Sequence, residues 1–177
     1  MRITEICTTP LGLRFKEPYH WAGRVDLGSA VVLIEVQTDE GIVGIGESTA
    51  TLPAEGFLKI LRGVEPMFVG ESPFDIERLF SRARFLGGFN YLPRFANMAL
   101  AGLEMALWDV IGKALGRPAY QLLGGAYRSE VDYFGFLQGD TADQLVAHAQ
   151  EVVATGHNVI YMKVGRGHDK DLENVAA

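Results

Sequence analysis

The chain has 177 residues, 48% of them hydrophobic and 21% charged, enough for one well-buried core and a piece of another. Its formal net charge of -6 leaves no basic footprint for nucleic acid, and acidity of this size mainly favours solubility. No basic start leads into an apolar stretch, no run approaches the roughly 18 residues of a membrane span, and the single Cys7 excludes an intramolecular disulfide. These features predict a cytoplasmic chain with neither nucleic-acid nor membrane partners.

The first third reads as strands. Arg2 to Thr8 alternates loosely, and Cys7 reads as a small core or sheet residue. Ala30, Val32, Ile34 and Val36 share one face of a period-2 segment. Asp39-Glu40-Gly41 supplies a turn before Ile42 to Glu47 resumes in β character, which makes a hairpin and, with the first strand, an antiparallel meander. Between the first two strands, Arg14 to Gly28 has no clean period and reads as a long loop. It is either a surface excursion or a lid, with Phe15, Tyr19, His20 and Trp21 as its aromatic content.

The middle reads as helical. Glu55 to Phe68 is a weak helix candidate, and Ser72-Pro73-Phe74-Asp75 is a start signal with proline at the first helical position. The strongest helix runs from about Phe95 to Leu115. Ala99, Leu103, Ala106, Val110 and Ala114 form one apolar stripe, and Leu100, Leu107, Ile111 and Leu115 another. Such a helix is packed on both sides, and Gly116 and Pro118 end it.

Beyond Gly124-Gly125 the rhythm changes to strand (Val131 to Leu137), helix (a capping box at Thr141 and Gln144, to about Ala154), strand (Asn158 to Val164), helix (from Leu172). This is the order of parallel β/α units.

No Cys pair is present, and the four histidines are scattered without metal-ligand spacing. The glycines from Gly41 to Gly46 fall in a hairpin and do not open a helix, so no dinucleotide fingerprint is supported. What remains is Lys163. Period 2 puts Val159, Tyr161 and Lys163 on one strand face and Ile160, Met162 and Val164 on the other. A lysine at the C-terminal end of a parallel strand, followed by a glycine turn, stands where α/β enzymes keep catalytic groups, although a lysine snorkelling to water fits the same pattern.

The run from Ala99 to Lys113, with Glu104, Trp108, Asp109 and Gly112, followed by Pro118 and Leu122-Leu123-Gly124-Gly125, resembles the mandelate racemase/muconate lactonizing enzyme group of the enolase superfamily. Gly44-Ile45-Gly46-Glu47, the Ser72-Pro73 start and Met162-Lys163-Val164-Gly165 extend the resemblance over the whole chain. It implies an α+β N-terminal capping domain over residues 1–125, an antiparallel β-meander followed by helices. Residues 126–177 then hold the first strands and helices of a truncated, incomplete (β/α) TIM-type barrel. The implied whole is a protein about twice as long, a homo-oligomer acting on a small carboxylate.

The implied chemistry is abstraction of the proton next to a carboxylate through an enediolate, assisted by a divalent metal, usually Mg²⁺. A racemase or cycloisomerase is expected, with an acid-sugar dehydratase and a non-catalytic folding or interaction module as alternatives. Lys163 aligns with the second lysine of the group's Lys-x-Lys pair and is the implied base. Tyr161 stands where the first lysine would be. A lysine base working near neutrality needs its pKa lowered by roughly 2–3 units, and a neutral tyrosine cannot supply what a neighbouring ammonium would. Tyr161 could hydrogen-bond the substrate or Lys163, or simply fill the core. Tyr19, Trp21 and Thr51 are the candidate substrate-binding residues. The implied metal ligands lie on later strands, so this chain alone is expected to bind no Mg²⁺ and to be inactive.

The signature helix itself reads as structural. Asp109 and Lys113 form an i,i+4 pair worth a few tenths of a kcal/mol if exposed, and Glu104 reads as a partner within the fold.

Overall fold

The computed structural model describes residues 1–22, 24–50, 54–86 and 93–177. Three strands, β1 (Ile3–Trp21), β2 (Arg24–Thr38) and β3 (Val43–Ala50), form a sheet in that order, and β2 pairs antiparallel with β3. Val32, Ile34 and Val36 are fully buried on the expected face. They oppose Ser48, Gly46 and Gly44. At the β2–β3 turn the Thr38 hydroxyl and backbone bond to Ile42, and Gly41 takes φ 76°, a conformation an L side chain resists.

Helix α1 (Ala54–Val64) continues into a 3₁₀ turn (Glu65–Met67), followed by α2 (Ile76–Leu86), α3 (Pro93–Leu115) and the short α4 (Ala119–Leu122). Pro73 does not occupy the first turn of α2, which begins three residues later. The Phe74 N–H donates to Ser72 Oγ and the Asp75 carbonyl accepts from Leu79 N–H. Ser72 thus shapes the approach and Asp75 sits at the cap. The start signal is real, but the helix waits until the apolar face of Ile76, Leu79, Phe80 and Ala83 can be buried.

Helix α3 lies on β3 with almost no side chain between them. A Cβ on Gly46 would stand 1.9 Å from the Gly102 carbonyl oxygen, and one on Gly44 would stand 2.1 Å from that of Ala106. The Ser48 hydroxyl donates to the Ala99 carbonyl at 2.7 Å. The glycines that suggested no ligand loop are there so that strand and helix backbones can touch. On α3's other side Phe57 of α1 meets Phe95 edge-on at 4.6 Å. The expected two-sided burial is observed, with Ala99, Leu103, Ala106 and Val110 buried along one stripe and Leu100, Leu107 and Ile111 along the other, while at the helix end Ala114 is only partly buried and Leu115 is exposed. Gly116, at φ 61°, ends the helix.

The C-terminal segment carries β4 (Gly135–Phe136), α5 (Ala142–Ala154), β5 (Ile160–Tyr161) and α6 (His168–Ala176), with β4 and β5 parallel. The capping box is complete: Thr141 Oγ1 accepts from Gln144 N–H while Gln144 Oε1 accepts from Thr141 N–H. Both strands are shorter than the apolar runs predicted. The inter-strand bonds are Gly135 N–H to the Val159 carbonyl and Leu137 N–H to the Tyr161 carbonyl. Each strand has one ladder partner among the described residues, so the flanking apolar residues, Val131 and Val164 among them, stay exposed.

By compactness the chain divides into two units, Met1–Leu13 with Ser29–Tyr127, and Arg14–Gly28 with Arg128–Ala177. No helix among the described residues is long and apolar enough to cross a membrane.

Candidate active site

The stretch from Arg14 to Gly28 is not an irregular loop. Its described residues are the outer ends of β1 and β2, an extended arm with Ala22 at φ 39° near its tip. Phe15, Tyr19 and Trp21 sit at even spacing on one strand face. Charged Glu17 shares that face and Pro18 interrupts the run, which hides the period in the sequence. The arm belongs to the same compact unit as β4, α5, β5 and α6.

Phe136 and Tyr161 are register partners across β4 and β5 and stack at 5.1 Å. Phe134, two residues before Phe136, lies 5.1 Å from Tyr161. From the arm, Tyr19 meets Phe136 at 5.3 Å and stacks on Trp21 at 6.4 Å. The result is a wall of rings on one face of the parallel pair. The opposite face, with Leu137 and Met162, looks towards α5, where a cleft of about 480 Å³ also involves Leu145 and Val153. The predicted alternation of Tyr161 and Lys163 against Met162 is the one observed.

Lys163 lies two residues beyond the end of β5, and its Nζ lies 5.1 Å from the centroid of the Tyr161 ring. Hydrogen bonding with Tyr161 is the main cause that holds the Lys163 pKa above the usual lysine value. Burial opposes this. Lys163 therefore rests as an ammonium at neutral pH, the opposite of the bias a lysine base needs.

The arm's tip is held by polar contacts that the sequence did not reveal. The Trp21 indole N–H donates to Asp26 at 2.6 Å, and Arg24 bonds the same carboxylate while its guanidinium covers the Trp21 ring at 5.1 Å. The indole first, then Arg24, hold the Asp26 carboxyl below the usual carboxylate range. Arg166 donates to the Gly139 carbonyl at 2.7 Å and to the His20 carbonyl at 3.4 Å, and the Gln138 side chain accepts from His20 N–H. Gly165, beside Ala22 of the tip, takes φ 105°, a conformation that L side chains rarely adopt. Asp171 accepts from both Gly165 and Arg166 N–H and fixes the turn that follows Lys163.

Four of the five candidate residues thus lie in one unit: Lys163 and Tyr161 beside each other, Tyr19 and Trp21 on the arm. Thr51 lies outside the described residues. Phe136, Asp26 and Arg166 were missed. The only signal was the Phe134-Gly135-Phe136 alternation. Among the described residues no group of three or more His, Cys, Asp or Glu could hold a metal ion, so the implied Mg²⁺ finds no ligand set in them.

Residues 3–124 match the N-terminal domain of the mandelate racemase/muconate lactonizing enzyme family. The chain belongs to this family. Within it, the chain is 36% identical over 150 residues to a D-xylonate dehydratase of Haloferax volcanii, covering 81% of this chain and 36% of that protein. It is 27% identical to an N-succinyl-L-Arg/Lys racemase of Bacillus cereus, over 100% of this chain and 48% of that protein. A crystal structure of the B. cereus racemase superposes with a TM-score of 0.90 at 25% identity, over 99% of this chain and 48% of that one. A dipeptide epimerase from Enterococcus faecalis, complexed with Mg and the dipeptide L-Leu-L-Tyr, superposes with a TM-score of 0.89 at 26% identity, over 99% and 49%. The chain therefore spans about a third to a half of the length of these relatives.

The architecture is the family's N-terminal capping domain, a β-meander followed by helices, continued by the first strands and helices of a (β/α) TIM-type barrel.

Proposed function

We propose that the chain is the N-terminal part of an enzyme that removes the proton next to a carboxylate, of racemase or cycloisomerase type, with Lys163 as the group that exchanges that proton. Residues 1–125 are the capping domain in this reading and residues 126–177 open the barrel. The observation that carries it is the position of Lys163, two residues past β5, on the face that also holds Tyr161 and faces the aromatic arm.

In the forward step the neutral amine takes the α-proton, the C–H bond breaks, and its electron pair moves into the carboxylate as an enediolate. Return of a proton to the opposite face gives the racemised acid. Loss of a β-substituent gives the dehydratase alternative, which the Haloferax volcanii relative's name supports. A divalent cation, with ligands outside the described residues, would stabilise the enediolate charge. The resting ammonium must lose its proton to solvent before it can act as a base; desolvation on substrate binding favours that loss, and a carboxylate beside the ammonium opposes it. In its protonated form Lys163 is the proton donor of the reverse step.

The test is solvent exchange. The whole protein, with Mg²⁺ in D₂O, should replace the α-hydrogen of at least one carboxylic acid, followed by NMR, and Lys163→Met should abolish the exchange. Exchange at the native rate in that variant would overturn the role of Lys163. Conversion to a 2-keto-3-deoxy product without racemisation would select the dehydratase alternative.

A further inference from the structure

We propose that the acid handled at Lys163 carries an apolar or aromatic side chain, seated on the rings of Tyr19, Trp21, Phe136 and Tyr161, in preference to a polyhydroxylated chain. The inference rests on the reading of Lys163 given above and adds the substrate class.

Two observations carry it. The rings come from three separate stretches of chain, yet all present themselves on one face. Tyr19 and Trp21 alternate on the arm, Phe134 and Phe136 alternate on β4, and Tyr161 precedes Lys163 by two residues. A contiguous aromatic surface beside the Lys163 ammonium is suited to an amphiphilic anion, whose carboxylate meets the ammonium while its apolar part covers the rings.

The polar groups nearest the wall are the second consideration. The indole N–H of Trp21 is taken by Asp26, and Arg24 is bound to that same carboxylate. Arg166 is bound to the Gly139 and His20 carbonyls, and Gln138 Oε1 accepts from His20 N–H. A sugar hydroxyl pressed on these ring faces loses its water partners and gains few in return. The hydroxyls of Tyr19 and Tyr161 are enough for one carboxylate but not for a row of alcohols. This preference runs against the higher sequence identity to the D-xylonate dehydratase. Substrate class is set by the few residues that face the substrate and not by overall identity.

The experiment uses the chain with Trp108→Phe, which leaves Trp21 as its single indole. Trp21 fluorescence is titrated with 3-phenylpropanoate, with 3-phenylpropanamide and with D-gluconate. The expected result is binding of 3-phenylpropanoate at least tenfold more tightly than gluconate, and at least fivefold more tightly than the uncharged amide. Phe136→Leu, which keeps apolar volume but removes the ring, should weaken 3-phenylpropanoate several-fold and leave the circular dichroism unchanged. Equal or tighter binding of gluconate overturns the proposal, as does the absence of any Trp21 response to 3-phenylpropanoate. The two readings fail separately. Tight binding of the phenyl acid without α-hydrogen exchange by the whole protein refutes the role of Lys163 alone. Exchange confined to gluconate refutes the substrate class alone.

Discussion

Lys163 and Tyr161 face each other across 5.1 Å, the ammonium over the phenol ring, at the position where the sequence resemblance implies a first lysine. The pairing reverses the electrostatics of the position. A second ammonium would press Lys163 towards its neutral form; the phenol stabilises its charge.

Tyr161→Phe should therefore lower the Lys163 pKa towards the usual lysine value, because hydrogen bonding with Tyr161 is the largest cause of its elevation. Tyr161→Lys should push it below that value. An NMR titration of the ¹³C-methylated lysines reads both, and an unchanged Lys163 resonance in Tyr161→Phe would contradict the assignment.

The pH dependence of stability follows with its sign. A folded pKa above the ordinary 10.5 means that Lys163 contributes fully below 10.5 and loses that contribution as pH rises through the raised value. On the acid side, Asp26 and Asp140 are held below the ordinary 3.8, Asp26 chiefly by the Trp21 indole and Asp140 chiefly by Lys170. Their contribution is present above 3.8 and is lost as pH falls through the folded values. Trp21 fluorescence should stay flat between pH 5 and 9 and change below about pH 3.8.

Asp109 and Lys113 do more than pair on a helix surface. Asp109 accepts from Ile45 N–H at 2.8 Å, and Lys113 donates to the Val43 carbonyl at 2.7 Å, closing the outer edge of β3. Asp109→Ala should cost about 1–2 kcal/mol in urea unfolding, more than the few tenths of an exposed i,i+4 pair.

Gly46→Ala should cost about 1–3 kcal/mol or more, since its Cβ would meet the Gly102 carbonyl, with only backbone there to yield. Gly63→Ala, in α1 with nothing within 4 Å, should instead stabilise the chain by about 0.5–1 kcal/mol. Opposite signs of ΔTm in the two variants check the backbone-contact argument.

Thr141→Ala should remove the capping bond to Gln144 and destabilise by about 1 kcal/mol. Chemical denaturation read by α5 hydrogen exchange distinguishes this from a global effect.

Much of this was legible in sequence because local rules and tertiary packing agreed. The buried face of β2, the span of α3, the Thr141 box and the alternation around Tyr161 all follow from periodicity and capping chemistry. The arm was not legible, because Glu17 and Pro18 obscure a strand whose rings pack on residues more than a hundred positions away. Gly44, Gly46 and Gly102 were visible, but the reason for them exists only where β3 touches α3. The contacts of Asp26 and Arg166 are set by the tip's geometry, which has no pattern along the chain.

The role of Lys163 is tested most directly by chemical rescue. In the whole protein with Cys7 and any further cysteine replaced by serine, Lys163→Cys should lose α-hydrogen exchange, and alkylation with 2-bromoethylamine, which rebuilds an amine on that side chain, should restore a substantial fraction of it. Native-level exchange in unmodified Lys163→Cys, or no recovery after complete aminoethylation, would contradict a role for this amine in moving the proton.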